Sequence, residues 1–179
     1  SHGIGTERDY AEAARWYRKA AVKGNVSAQC NLGLLYEDGR GVEMDCVQAA
    51  LWYRAAAEKD NVNAQFNLAL LYEYGKGVAQ DYDEAVKWYM KAAESGNVSA
   101  QNKLGRLYGD GKGLLQSYAE AVYWYRKAAD QGSATAQCNL GYCYSKGYGV
   151  SQDYAEAARW FRISAEQGLV NAQYNLGQY

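Results

Sequence analysis

The sequence contains no proline and only one histidine among its 179 residues. Average usage near 5% would put about nine prolines in a chain of this length, so their absence favours helix nearly throughout. Because His2 is the single histidine, neither a histidine-based catalytic triad nor a zinc-binding helix can be built. We therefore expect no catalytic residues, no metal site and no cofactor, and the protein is not expected to be an enzyme.

The chain also lacks a strong charge of either sign and any long apolar run. Its 19 Lys and Arg balance 20 Asp and Glu, for a net charge of -1. This balance provides no positive field for a phosphate backbone, so nucleic acid is not expected as a partner. No run of 18 apolar residues occurs, so membrane insertion is not expected either. A hydrophobic content of 49% nevertheless indicates a packed interior rather than a disordered chain.

An internal repeat of 36 residues dominates the sequence. The tryptophans lie on this period, at Trp16, Trp52, Trp88, Trp124 and Trp160. An Ala-Gln pair, a leucine and a closing Gly-x-Gly recur with the same period, as at Ala28, Gln29, Leu32 and 39–41. A fixed period of this length is the signature of a stacked repeat architecture.

Two helices fit between successive Gly-x-Gly loops. Helix B follows the loop and begins with the capping-box spacing of Asp9 and Glu12. Helix A carries the Ala-Gln and leucine positions and ends at the next Gly-x-Gly, which supplies a left-handed C-cap. Small residues on helix A, such as Gly33 and Gly105, predict the close approach of a neighbouring aromatic ring. The predicted ranges are 9–23, 45–58, 81–94, 117–130 and 153–166 for helix B, and 26–37, 62–73, 98–109, 134–145 and 170–179 for helix A.

A two-helix unit of this size cannot bury its aromatic stripe alone, so adjacent units must stack. The sequence therefore predicts an all-α fold, an α-solenoid of about five two-helix units that forms a single repeat array over residues 1–179. Both ends fall out of phase with the units, which favours a piece of a longer array that is truncated at both ends.

One stretch carries a family resemblance. Residues 80–97 read QDYDEAVKWYMKAAESGN and are followed by Ala100-Gln101 and Leu104-Gly105. This string resembles the Sel-one-like (Sel1-like) repeat, SLR, of a family related to the tetratricopeptide repeat, and the resemblance covers essentially the whole chain. It implies a right-handed superhelix that acts as a protein-binding scaffold or adaptor.

The four cysteines, Cys30, Cys46, Cys138 and Cys143, contain no C-x-x-C pair. Cys46 occupies a tyrosine position of the repeat and Cys143 a leucine position, so both are interpreted as small buried residues. We expect four free thiols. A cysteine-rich branch of the resembled family carries a disulfide pair in each unit, and this regular pairing is missing here. A β-lactam-handling enzyme, by analogy with that branch, stays as a remote alternative.

The outer face of helix B carries arginine at one lattice position, at Arg18, Arg54, Arg126 and Arg162. Acidic residues precede basic ones by three positions on the same helices, as at Glu12 and Arg15, Glu84 and Lys87, and Glu156 and Arg159. We interpret this face as solvated and paired within itself.

The candidate binding site lies on helix A, opposite the constant lattice residues. In superhelices related to the resembled family this face lines the concave groove. The candidate contact residues are Asn31, Leu34, Phe66, Asn67, Leu70, Tyr74, Lys103, Arg106, Asn139, Tyr142, Lys146 and Asn175. The expected occupant is a peptide or a protein partner, and end-to-end self-association of the array is the alternative.

Two interpretations stay open for each part of this face. The asparagine ladder of Asn31, Asn67, Asn139 and Asn175 either bonds to the amides of an extended peptide or bonds between neighbouring units. Lys103 and Arg106 either form a cationic clamp for a carboxylate or are a solvated surface pair. The large apolar residues either mark an interface or cover the seam between units.

Overall fold

The computed structural model describes residues 9–179, and within them it contains ten α-helices and no strand. The helices are α1 Tyr10–Val22, α2 Val26–Asp38, α3 Cys46–Ala57, α4 Val62–Tyr74, α5 Tyr82–Glu94, α6 Val98–Asp110, α7 Tyr118–Asp130, α8 Ala134–Lys146, α9 Tyr154–Glu166 and α10 Val170–Leu176. Odd-numbered helices correspond to helix B and even-numbered helices to helix A. The prediction of an all-α solenoid is confirmed. The single histidine, His2, lies outside the described residues.

Side chains cap the helix starts as the sequence predicts. The Asp9 carboxylate accepts a hydrogen bond from the Glu12 amide at 2.9 Å, and the Asp153 carboxylate accepts one from the Glu156 amide at the same distance. An asparagine does the same at helix A, where Asn25 accepts from the Ala28 amide at 2.9 Å. Each such bond satisfies one of the amides that have no partner within the first turn.

The two glycines of each Gly-x-Gly loop have separate roles. Gly39 ends α2 in the left-handed conformation, with φ of 67°, and its amide bonds to the Leu35 carbonyl. Gly41 also has a positive φ, and a Cβ there would lie 2.1 Å from the Tyr10 carbonyl carbon. Two features therefore require glycine at the second position of the loop. One is its positive φ, and the other is the close contact of the loop with Tyr10 at the start of α1.

The chain divides into two compact units, Ser1–Trp88 and Tyr89–Tyr179. In the first unit α2 packs against both α1 and α3, and α3 packs against α4. Ala21, Ala28 and Leu32 form a buried cluster, with Tyr36 and Trp52 packed against it. The ring of Tyr53 is fully buried and lies against Gly33, where a Cβ would be 2.7 Å from the ring.

In the second unit each helix from α6 to α10 packs against the next one along the chain. The core contains Tyr125, Leu140 and Trp160, which come from three consecutive helices. Tyr125 lies against Gly105 and Phe161 against Gly141, so the predicted approach of aromatic rings to the small residues of helix A is confirmed in both units.

The constant glutamine of the repeat ties helix B to helix A. In each copy its side-chain amide donates a hydrogen bond to the carbonyl oxygen of the residue eight positions earlier, at 3.0 to 3.3 Å. The glutamines are Gln29, Gln65, Gln101, Gln137 and Gln173, and all except Gln173 are buried. A carbonyl near the end of helix B is satisfied in this way, which accounts for a polar residue at a core position of the first four copies.

The interpretation of the arginines on helix B is wrong in part. Arg18, Arg54 and Arg126 do not pair within helix B, because each guanidinium donates to the hydroxyl of a tyrosine on the next helix A. The tyrosines are Tyr36, Tyr72 and Tyr144, and each arginine lies over the ring of its tyrosine, 5.7 to 6.0 Å from the centroid. The predicted Glu-Lys and Glu-Arg pairs do form in two copies, Glu84 with Lys87 at 2.9 Å and Glu156 with Arg159 at 2.6 Å.

Two further predictions need correction. Cys46 is half-buried rather than buried, since it is the first residue of α3 and lies at the edge of the packed layer. Helix α10 ends at Leu176 rather than at 179, since the amides of Gln178 and Tyr179 bond only three residues back.

Candidate partner-binding site

We call the predicted surface the A-helix face and define it by the helix A positions equivalent to Asn31, Leu34 and Asp38, together with Phe66, which precedes Asn67. Every candidate residue on it is accessible. Asn31, Leu34, Tyr74, Tyr142 and Lys146 are exposed, whereas Phe66, Asn67, Leu70, Lys103, Arg106, Asn139 and Asn175 are half-buried. The constant leucines on the opposite side of helix A, such as Leu32 and Leu140, have no exposed surface.

In the first unit this face contains a pocket of about 490 Å³ between α1 and α2. It brings together two candidate residues, Asn31 and Leu34, with Tyr10 and Tyr17 of α1 and Arg40 of the loop. The Arg40 guanidinium pairs with the Asp38 carboxylate at 3.1 Å and lies 5.8 Å from the centre of the Tyr10 ring. The pocket therefore has aromatic and aliphatic walls with an ion pair beside it.

Asn67 is engaged in the interior of the first unit. The Tyr53 hydroxyl donates to a Glu37 carboxylate oxygen at 2.8 Å. Burial and the neighbouring Glu37 raise the pKa of Tyr53, and a hydrogen bond with Asn67 acts in the opposite direction. Asn67 of α4 therefore lies within reach of the Tyr53 hydroxyl of α3.

Asparagines of the second unit connect neighbouring A helices. Asn139 donates to the Asn102 side-chain oxygen at 3.1 Å, and Asn175 donates to the Cys138 sulfur at 3.8 Å. Each bond joins residues 37 positions apart, in neighbouring 36-residue repeats. Bonding between repeats was one of the two interpretations of the asparagine ladder, and it occurs at these two positions. A carboxamide has further donor and acceptor capacity, so such an anchored side chain can also meet a peptide backbone.

A second pocket of the A-helix face lies in the second unit, has a volume of about 220 Å³, and is formed by α6, α7, α8 and the loop after α8. We call it the tyrosine pocket. The Tyr118 and Tyr148 rings are stacked, with centroids 4.5 Å apart and an angle of 11° between their planes. Tyr142 meets Tyr148 edge to face at 6.0 Å. Arg106, Asp110 and Asn139 supply its polar lining.

Charged side chains surround the tyrosine pocket. The Asp110 carboxylate lies 3.9 Å from both the Arg106 guanidinium and the Lys112 amine. The Lys146 amine lies 5.9 Å from the centre of the Tyr142 ring. At the buried wall of the pocket, burial raises the pKa of Tyr125, whereas the nearby Arg106 acts to lower it.

The structure adds residues to the site that sequence reasoning missed. Tyr148 and Arg40 occupy the middle position of the Gly-x-Gly loop, which was interpreted only through its turn geometry. Tyr10 and Tyr118 begin helix B and line the two pockets, and Tyr118 is 38% exposed. The middle residue of the Gly-x-Gly loop varies between copies, and this variation could have indicated that its side chain belongs to the site. A position that only forms a turn does not need a large side chain.

Little other chemistry is present in the part of the chain that the structure describes. No group of three or more metal-binding side chains occurs in residues 9–179. The four cysteines are free of disulfides, as expected. None of the described helices combines the length and the apolar character that a membrane span requires.

No curated protein matches the chain. Among solved structures it is similar to c5321, described as a protective antigen present in uropathogenic Escherichia coli strains displaying an SLR fold, with 44% identity and a TM-score of 0.94. That similarity covers 98% of this chain but only 38% of c5321. A Sel1 repeat protein from Oxalobacter formigenes is 37% identical with a TM-score of 0.85, over 96% of this chain and 74% of that one.

Cysteine-rich protein B of Helicobacter pylori shares the fold at 22% identity and a TM-score of 0.57, over 72% of this chain and 92% of that one. The model of the Sel1 repeat matches in six consecutive segments, 1–25, 26–61, 62–97, 98–133, 134–169 and 170–179. These segments follow the 36-residue period and together cover the whole sequence, so the chain belongs to the Sel1 repeat family.

Proposed function

We propose that this chain is a non-catalytic interaction module that binds a peptide or protein partner on the A-helix face of its units. Sel1 repeat proteins are commonly protein-interaction scaffolds, which supports this general role. The chain spans 38% of the length of c5321, so the proposal concerns the repeats themselves.

One observation carries the proposal. The A-helix face presents large apolar side chains to solvent in both units, with Leu34 43% exposed, Tyr74 53% and Tyr142 47%. Two of the three lie at pockets, Leu34 in the first unit and Tyr142 in the second. Apolar groups that are exposed together on one face of a folded protein usually mark an interaction site, and aromatic residues are enriched in such interfaces.

The variation between copies supports the same conclusion. The lattice position on the opposite side of helix A is leucine in every copy, at Leu32, Leu68, Leu104, Leu140 and Leu176. The face itself changes its chemistry at one equivalent position from Leu34 through Leu70 and Arg106 to Tyr142. A constant core with a variable accessible face is the arrangement in which each unit can contribute a different contact to a partner.

The test compares affinity capture from a lysate of the source organism by the wild-type chain and by two variants. The face variant combines Asn67→Ala, Lys103→Ala, Arg106→Ala and Tyr142→Ala. The matched control replaces two exposed apolar residues of helix B, Leu51→Ser and Tyr123→Ser, which are 56% and 48% exposed. Circular dichroism confirms that each variant is folded before use.

We expect proteins that the wild type and the helix B control retain and that the face variant loses. Retention of every partner by the face variant, with unchanged affinity, contradicts the proposal. Loss of partners from the helix B control alone would place the interface on the other side of the repeat.

A further inference from the structure

Two stripes of side chains run side by side on the A-helix face of the second unit. On α6 the stripe is Lys103, Arg106 and Asp110, and on α8 it is Asn139, Tyr142 and Lys146. Both follow the spacing of three and then four residues that keeps side chains on one face of a helix. The tyrosine pocket lies between them and is lined by members of both stripes.

Positive charge is concentrated on this part of the A-helix face. The two stripes carry three cations and one carboxylate, Asp110, and a fourth cation, Lys112, follows α6 by two residues. The cations are Lys103, Arg106, Lys112 and Lys146. The equivalent helix positions in the first unit are mostly uncharged, at Asn31, Leu34, Asn67, Leu70 and Tyr74. Residues 89–179 carry nine Lys and Arg against seven Asp and Glu, whereas the whole chain has a net charge of -1.

The tyrosine pocket has the size and the walls for a single side chain. Its volume of about 220 Å³ is below the roughly 300–1,000 Å³ of sites for drug-sized molecules. The stacked Tyr118 and Tyr148 rings form a flat wall, and Tyr142 stands at an angle to Tyr148. Planar rings pack against such walls in offset-stacked or edge-to-face arrangements.

We propose that the tyrosine pocket takes one aromatic side chain from an acidic segment of a partner protein, and that Arg106 and Lys146 bind the carboxylates beside that side chain. This inference rests on the proposed function and specifies the partner of the second unit. Tyrosine and arginine are the residue types that most often dominate the binding energy of an interface, and Tyr142 and Arg106 line the same pocket.

The geometry around Arg106 is compatible with exchange of its ion pair. The pair with Asp110 is long, at 3.9 Å, and both side chains are about 40% exposed, so it contributes little to stability. A guanidinium presents a planar fork of donors that matches a carboxylate in two parallel hydrogen bonds. A partner carboxylate that docks in this geometry contacts Arg106 at a shorter distance than Asp110 does.

The same charges select against a basic or neutral segment. A lysine or arginine beside the pocket would face the cations Arg106, Lys112 and Lys146, and Asp110 supplies the carboxylate of the pocket lining. A neutral segment would leave these cations without a new partner. Charge complementarity therefore distinguishes the expected segment from the alternatives.

The experiment is a selection from a display library of random dodecapeptides on the immobilised full chain, followed by fluorescence polarisation with the most enriched peptide. We expect enriched peptides to carry Asp or Glu within two positions of Trp, Tyr or Phe. Arg106→Glu and Tyr142→Ala should each weaken binding about tenfold or more, as expected for hot-spot residues. The control Tyr123→Ser, on the exposed side of helix B in the same unit, should change affinity less than about twofold, and binding should weaken as salt increases.

Enrichment of basic or uncharged peptides, or of acidic peptides that bind Arg106→Glu and Tyr142→Ala as well as the wild type, would overturn this inference. If binding is instead lost in Leu34→Ala, the proposed function stands and the inference about the second unit fails. A selection that enriches nothing above the bare support contradicts both. Arg106→Gln, which removes charge without reversing it, should give an intermediate loss and guards against an effect of misfolding.

Discussion

The contact between helix A and an aromatic ring of helix B leads to a prediction about two glycines of the same helix. Gly105 and Gly109 both lie in α6, one turn apart. A Cβ on Gly105 would lie 2.5 Å from two atoms of the Tyr125 ring, whereas the nearest atom to a Cβ on Gly109 would be 3.9 Å away. Substitution by alanine should therefore have opposite effects on stability at the two positions.

The magnitudes follow from two competing effects. Replacing glycine by alanine inside a helix stabilises the protein by about 1 kcal/mol, because alanine restricts the unfolded chain. Overpacking a core costs roughly 1–3 kcal/mol, and a 2.5 Å approach to a buried ring belongs in the upper half of that range. We expect Gly105→Ala to lower the free energy of unfolding by about 1–2 kcal/mol, and Gly109→Ala to raise it by about 1 kcal/mol.

Urea denaturation followed by far-ultraviolet circular dichroism measures the difference. With a slope of about 2 kcal/mol per molar urea, the midpoints of the two variants should differ by about 1 M or slightly more. Because both substitutions lie in α6, they report on the same part of the molecule even if the two units unfold separately.

A Gly105→Ala variant that is as stable as the wild type or more stable would refute the packing argument. The same substitution in a Tyr125→Leu background is a further test, since the ring atoms that a Cβ would meet are then absent. The double-mutant cycle should show a coupling of about 1 kcal/mol or more between the two positions. Gly141→Ala, where the nearest Phe161 atoms lie at 3.0 Å, should cost less than Gly105→Ala.

Two further predictions concern titrating groups. At pH 8 a thiol reagent such as Ellman's should react rapidly with the half-buried Cys46, and Cys46→Ser should abolish this phase. Burial raises the pKa of the Cys143 thiol to about 11, so about one molecule in a thousand has the reactive thiolate at pH 8. Cys143 should therefore react with the reagent only when the protein unfolds, and rapid labelling of Cys143 in the folded protein would contradict this. Hydrogen bonding from Arg159 lowers the pKa of Glu156, so this surface pair should stabilise the fold by about 0.2–1 kcal/mol at pH 7. The pair's contribution to stability is present above the ordinary carboxyl pKa and is lost as the pH falls through the lowered pKa. Arg159→Gln should therefore destabilise the protein at pH 7 but not at pH 2. An equal loss of stability at both pH values would show another cause.

Much of the fold was predictable because its determinants are local and repeated. Each of α1 to α9 begins and ends within one residue of the predicted position. The cap residues and the loop glycines define these ends, and both act on amides and carbonyls only a few residues away. The accessible face of helix A was predictable for the same reason, since the spacing of the constant leucines shows which side of the helix is buried.

The bonding partners of the polar side chains were not predictable in this way. Arg18 was assigned to a face that pairs within helix B, but the structure pairs it with Tyr36 of α2. Asn139 was compatible with a peptide or with a neighbouring unit, and the structure bonds it to Asn102. Long side chains reach several groups of comparable energy, so the choice depends on the rotation and offset of one helix relative to another.

The sequence by itself determined the repeat, the two helices of each copy, the family and the side of helix A that stays accessible, because a 36-residue period records these features five times over. Only the tertiary structure decided where that accessible side becomes a pocket. Tyr118 and Tyr148 are 30 residues apart and belong to different elements, yet their rings stack at 4.5 Å beside Tyr142. Such a contact arises from the packing of α7, α8 and the following loop, and the period of a sequence contains no information on the distance between side chains that packing brings together.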